Sequence, residues 1–281
     1  MTQNQPSMPL IAEEFSKSNN YKSVSFAGQG AFKETYRVIT DQGSPLALKL
    51  LNPAKGNLAR SEREIEAMKR CDSPHIAKLY DSGKYIASDG IEYIYSIEEY
   101  LDGGTLTDKL TGKMAPDVVR HYGLFLAQAL KHLAALNLVH RDIKPDNIMF
   151  RLSSDDPVLV DLGVVRDLSQ ISLTQTWLDR GPGTPYYAAP EQLNNQKHLI
   201  DWRTDQFSLG VVLGICLTGE HPFAQQSQMD PVTAVGQRKS CRPEFKDEAV
   251  KLGLPNLIKM VQPWSVHRFQ MPDDLIKSFQ S

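Results

Sequence analysis

His140-Arg141-Asp142-Ile143-Lys144-Pro145-Asp146-Asn147 packs into one short loop a carboxylate that can act as a base, a cation that can bind phosphate and a carboxamide that can bind a metal. Phosphoryl transfer requires this set. The transferring group spreads charge over three oxygens, so catalysis is mostly positioning and electrostatics, with little covalent chemistry for the protein to do. With each residue type at about 5% usage, the five fixed positions of HRDxKxxN recur by chance in a chain this long roughly once in ten thousand sequences. A polar surface turn is therefore the weaker reading.

Around that loop, 281 residues suffice for one large domain or for two lobes. The net charge of −2, with both signs interspersed, gives no field that would draw the chain to nucleic acid or an anionic membrane. Cys71, Cys216 and Cys241 are odd in number, far apart and without a CxxC. They read as reduced thiols, which predicts a cytoplasmic setting and no zinc site. Residues 1–20 are polar and lack an apolar core of the signal-peptide kind, so they read as a flexible N-terminal arm. The most apolar run, Phe207 to Leu217, is too short to cross a bilayer and reads as a buried core helix interrupted by Gly210 and Gly214.

From Tyr21 to Tyr100 the pattern is strand-like: Ser23 to Phe26, Thr35 to Ile39, Pro45 to Leu51 and Ile91 to Tyr100, with one helical stretch near Leu58 to Lys69. The composition changes near Leu101-Asp102-Gly103-Gly104, which reads as a hinge. Beyond it, Tyr122, Leu126, Leu130 and Leu133 form the stripe of an amphipathic helix over Val118 to Leu136.

The HRDxKxxN loop resembles that of the eukaryotic-like, Hanks-type serine/threonine protein kinases, and further motifs of that family follow in its order. The resemblance implies an α+β, bilobal kinase-like fold with a β-rich N-lobe (21–100), a hinge at about 99–104, a helical C-lobe (105–281) and an ATP cleft between them. It implies a phosphotransferase that moves the γ-phosphoryl of ATP, with Mg²⁺ or Mn²⁺, to protein Ser or Thr hydroxyls. Asp142 would take the hydroxyl proton and Lys144 would stabilise the transferring group. Gly28 and Gly30 would let backbone amides approach the phosphates. Lys49, in the VAIK-like Ala47-Leu48-Lys49-Leu50, would meet the α- and β-phosphates. Its expected partner is Glu64; Glu66 competes, but Glu64 leaves Ile65 and Met68 facing the core. Asp161, in Asp161-Leu162-Gly163, and Asn147 would bind the metal. Adenine would lie between Ala47 and Met149, with Val160 beside the phosphates and the backbone of Glu99 to Leu101 at the hinge.

Gly183 to Glu191 resembles the end of a kinase activation segment, closest to those of bacterial kinases. It implies that Thr184 touches Asp142, that Glu191 pairs with a buried cation, best Arg268, and that Asp205 accepts hydrogen bonds from the catalytic loop. Thr174 and Thr176 are the expected autophosphorylation sites, with Ser169 and Ser172 as weaker candidates. Four positions depart from the family pattern: Lys33 replaces its third glycine, Thr35 its usual valine, Leu162 its phenylalanine, and Glu98 precedes the hinge. A pseudokinase scaffold would be expected to lack Lys49, Asp142, Asn147 or Asp161, and a small-molecule kinase to lack the Ala189-Pro190-Glu191 ending. Both are the alternatives to a protein kinase.

Overall fold

A computed structural model describes residues 7–30, 33–51, 53, 58–162, 166–168, 184–224, 230–237, 243 and 245–280. Two compact units divide the chain: Met1–Asp72 with Ala77–Tyr100, and Ser73–Ile76 with Leu101–Ser281. The division after Tyr100 coincides with the composition change. The short segment at 73–76 goes with the second unit because it pairs there: Leu159 N–H donates to His75 O at 2.9 Å, and Ile76 bridges to Leu159.

The first unit contains helix α1 (Met8–Ser18), strands β1 (Ser23–Gln29), β2 (Lys33–Ile39) and β3 (Pro45–Leu51), helix α2 (Leu58–Lys69), and strands β4 (Leu79–Ile86) and β5 (Glu92–Glu99). The strands form one antiparallel sheet in the order β1-β2-β3-β5-β4. Side chains alternate faces along a strand, so Leu48 and Leu50 share a face while Ala47, Lys49 and Leu51 take the other. The apolar face belongs to a core that includes Tyr36, Val38, Leu48, Leu50, Tyr93 and Ile97.

That core also contains Met8, Ile11, Ala12 and Phe15 of α1. Residues 8–18 are thus a docked helix, where composition suggests a flexible arm. The missed signal is the spacing of Met8, Ile11, Ala12 and Phe15, which puts four apolar side chains on one helical face. Glu14 fastens the helix: its carboxylate accepts from Tyr85 Oη (2.8 Å), Ser88 N (2.8 Å) and Ser88 Oγ (2.7 Å), and those bonds hold its pKa below the ordinary carboxylate value. Phe15, 2% exposed, packs against Tyr85 and Tyr95 with ring centroids 5.1 and 4.7 Å away. Phe15→Ala is expected to destabilise the first unit by about 3–5 kcal/mol, the cost of emptying a core aromatic site. Chemical denaturation checks this, and a loss below about 1 kcal/mol would remove α1 from the core.

The second unit is helical. It contains α3 (Leu106–Lys109), α4 (Pro116–Ala135), β6 (Leu138–Val139), β7 (Ile148–Phe150), β8 (Pro157–Leu159), β9 (Arg166–Asp167), α5 (Pro190–Leu193), α6 (Trp202–Thr218), α7 (Pro231–Gly236), α8 (Lys246–Lys251), α9 (Asn256–Met260) and α10 (Pro272–Gln280). Helix α4 buries Tyr122, Leu126, Leu130 and Leu133, the stripe expected from the sequence. Helix α6 is buried on nearly every side. Gly210 there is a close-approach position: a Cβ would lie 2.8 Å from Met260 Cβ and from Val261 Cγ1. Two short ladders, β6 with β9 and β7 with β8, grip the segment between β6 and β7, where the catalytic-loop residues lie. Among the described residues no helix is long and apolar enough to cross a membrane.

Candidate active site

The loop from His140 to Asn147 is held from below by Asp205. Its Oδ2 accepts His140 N–H at 2.7 Å and its Oδ1 accepts Arg141 N–H at 2.8 Å. Asp205 is fully buried, and desolvation pushes its pKa up to about 6, opposed by His140 and by these two amide bonds. Both bonds favour the ionised form. The buried ring of His140 adds a brace: Nδ1 accepts Asp142 N–H at 3.2 Å, so Nε2 carries the proton and donates to Val160 O at 3.0 Å. Arg141 adopts φ 67°, a left-handed conformation that is costly for non-glycine residues. Gln192, on α5, donates to Arg141 O at 2.6 Å. No motif points to Gln192; its place directly after Glu191 is the only hint in the chain.

Four side chains converge above this base. Asp142 Oδ1 accepts from Thr184 N (2.8 Å) and Thr184 Oγ1 (2.9 Å). Asp142 Oδ2 lies 3.1 Å from Lys144 Nζ and accepts from Asn147 Nδ2 at 3.2 Å. Lys144 Nζ also donates to Thr184 Oγ1 at 3.1 Å. Asn147 Nδ2 further donates to Asp142 O at 2.8 Å, so its amide protons face Asp142. Val160 N–H donates to Asn147 O at 3.0 Å, tying Asn147 to the segment that enters Asp161. Asp161 has φ 61°, and Leu162 beside it is buried. Gly163 lies outside the described residues, as do Ser169, Ser172, Thr174 and Thr176. Leu101 is buried in the second unit, and Met149 sits on β7, where it bridges to Thr105.

Glu191 meets Arg268 as a fork-to-fork pair, Nη1 to Oε1 at 2.7 Å and Nη2 to Oε2 at 3.0 Å, fully buried. Thr204 Oγ1 donates to Glu191 Oε1 at 3.0 Å.

In the first unit, Gly30 N–H donates to Lys33 O at 2.8 Å and closes the β1–β2 turn. A Cβ on Gly28 would meet no atom within 4 Å among the described residues, so crowding by those residues does not explain a glycine there. Ala47 is buried on β3, and Glu99 ends β5 with its N–H donating to Lys78 O at 2.8 Å. The charged pairs differ from expectation. Lys49 Nζ lies 2.6 Å from Glu98 Oε2, and the carboxylate of Glu64 carries the ammonium of Lys33. The sheet register explains the first pair: Ala47 faces Glu98 and Lys49 faces Ser96 across β3 and β5, making Lys49 and Glu98 diagonal neighbours on one face. Glu66, exposed, pairs with Lys69.

A loop braced by Asp205 that holds an aspartate, a lysine and an asparagine side by side, and a five-stranded antiparallel sheet carrying a lysine on its third strand, are features of the protein kinase class. Residues 21–260 match the protein kinase domain family, and the chain belongs to it. It is similar to the probable serine/threonine-protein kinase PknB of Bifidobacterium longum, 33% identical over 74% of this chain and 31% of that protein. Serine/threonine-protein kinase PknD of Mycobacterium tuberculosis is 30% identical over 88% of this chain and 38% of its own length. Calcium-dependent protein kinase 5 of Plasmodium berghei is 32% identical over 72% and 35% respectively. The chain thus spans well under half the length of each of these relatives. Helix α1 precedes the matched stretch and α10 follows it.

Proposed function

We propose that the chain transfers the γ-phosphoryl of ATP to Ser or Thr hydroxyls of proteins, using a divalent cation, Mg²⁺ or Mn²⁺. The observation that carries this reading is the Asp142, Lys144 and Thr184 cluster. A threonine hydroxyl sits within hydrogen-bond reach of both the carboxylate and the ammonium, so the pair is spaced to hold an acceptor hydroxyl. Asp142 takes the hydroxyl proton as the acceptor oxygen bonds to the γ-phosphorus and the bond from that phosphorus to the β,γ-bridging oxygen breaks. ADP leaves with the electron pair. Lys144 offsets the charge of the transferring group, while Asp205 and His140 keep the loop from collapsing as that charge moves.

The donor set fits the cation. Asn147 directs its amide protons to Asp142, which leaves its side-chain oxygen for a hard metal, and Asp161 adds a carboxylate; Mg²⁺ commonly takes only one or two such protein ligands beside substrate phosphates. Bound there, the cation would neutralise phosphate charge. Lys49 would contact the α- and β-phosphates, and the open space over Gly28 would admit phosphate to the backbone amides. Free thiols at Cys71 and Cys216 suit a reducing compartment.

Incubation of the purified chain with γ-labelled ATP tests the reading. Label on Ser or Thr, dependent on added divalent cation, is expected, with Thr174 and Thr176 among the modified residues. Asp161→Ala should abolish transfer and also remove the Mg²⁺-dependent part of the thermal stabilisation that nucleotide confers. Full transfer by Asp161→Ala would refute the metal assignment, and no cation-dependent transfer by wild-type chain would refute the kinase reading.

A further inference from the structure

Two glutamates buried in the first unit, Glu98 at 2% and Glu64 at 3% exposed, each hold a lysine. A buried carboxylate costs several kcal/mol unless a cation and further hydrogen bonds compensate it, at the order of magnitude seen for buried ions. Glu98 has both: Oε2 takes Lys49, and Oε1 accepts from Ser96 Oγ at 2.7 Å. The register makes this arrangement hard to avoid. Lys33 pairs with Leu51, Thr35 with Lys49, Lys49 with Ser96 and Ala47 with Glu98, so Lys33, Lys49, Ser96 and Glu98 emerge on one face of the sheet. Lys33, Lys49 and Glu64 line one cavity beside α2, with Ser96 at its wall.

We propose that Glu98 is the positioning carboxylate of Lys49 in this chain, and that Glu64 is engaged by Lys33, an inference that rests on the kinase reading above. Lys33 and Glu98 are two of the departures from the family pattern, and they carry opposite charge. Glu98 alone would bring a second buried carboxylate to a face with one lysine. Lys33 alone would compete with Lys49 for Glu64. Together they give two cations and two anions, so the lysine on β3 changes partner at no net charge. The consequence is mechanical. Lys49 is oriented from β5, a neighbouring strand of the same sheet, while α2 is tied through Glu64 to Lys33 at the start of β2.

The experiment uses the full chain and reads both the Kd for Mg-ATP and the kcat and KM of transfer. Glu98→Gln is expected to weaken ATP binding and lower kcat/KM by about tenfold or more, and Glu64→Gln to lose clearly less. In the double variant Lys33→Met, Glu98→Gln, release of Glu64 should return at least about threefold of the loss, a coupling that a merely structural ion pair would not produce. A larger loss in Glu64→Gln than in Glu98→Gln, or no recovery in the double variant, would overturn the proposal. Should Glu98→Gln fail to fold by circular dichroism, Ser96→Ala removes the hydroxyl on Glu98 and is expected to raise the KM for ATP about threefold; an unchanged KM would overturn it. A wild-type chain that binds Mg-ATP but transfers nothing would refute the kinase reading alone, since the Kd series still reports which carboxylate holds Lys49.

Discussion

Asp142→Asn is expected to lower kcat for phosphoryl transfer by about 10²–10⁴, the usual contribution of a general base. The substitution preserves shape but not chemistry. Every partner of the Asp142 carboxylate is a donor: Thr184 N–H and Oγ–H on one oxygen, Lys144 and Asn147 on the other. An asparagine must turn its own NH₂ toward one of those sides, and either choice opposes donor to donor. A stability loss of about 1–3 kcal/mol, the cost of leaving such a group unsatisfied, should accompany the loss of rate. Nucleotide binding should largely persist, because the phosphate and metal contacts are assigned to Lys49, Asn147 and Asp161. Single-turnover transfer and nucleotide affinity, measured on the same preparation, separate the two effects. A variant that keeps more than about half the wild-type rate would take the base role from Asp142.

Arg268→Ala is expected to destabilise the second unit by about 3–5 kcal/mol, since it strands the Glu191 charge in the interior. Against a total stability of about 5–15 kcal/mol for a typical domain, that loss is large. All five N–H donors of the guanidinium have acceptors: both oxygens of Glu191 and the carbonyls of Gln262, Arg203 and Pro263. The guanidinium also lies 4.9 Å from the centroid of Phe207. Arg268→Lys should recover little, because an ammonium cannot reproduce the fork. The apolar pair Glu191→Leu, Arg268→Met should recover only part of the loss, since desolvation of both charges is removed together while Thr204 and the carbonyls of Gln262, Arg203 and Pro263 lose a partner. Urea denaturation reads each variant. An Arg268→Ala protein within about 1 kcal/mol of wild type would mean that water reaches Glu191.

The roles proposed for Asp142, Lys144 and Asn147 come with the family resemblance, but the loop itself stands out in the sequence alone because its residues are local: all three stand within six residues. The same holds for the α4 stripe and for the strands of the first unit, whose periodicities follow from backbone geometry. Arg268 is named as the mate of Glu191 through the family resemblance, which implies a buried cation for that glutamate. The five acceptors around it come from segments distant in the chain and need the fold. Helix α1 escapes a reading by composition because burial depends on what a surface docks against, and a short apolar stripe stays silent until Tyr36, Leu48 and Leu50 offer it a face. The lysine partners, too, are decided at long range. Motif order pairs Lys49 with Glu64, but the ion pairs follow strand register and the cost of burying charge. Those set Lys49 against Glu98 and Lys33 against Glu64, because a one-residue change of register would have sent each side chain to the opposite face.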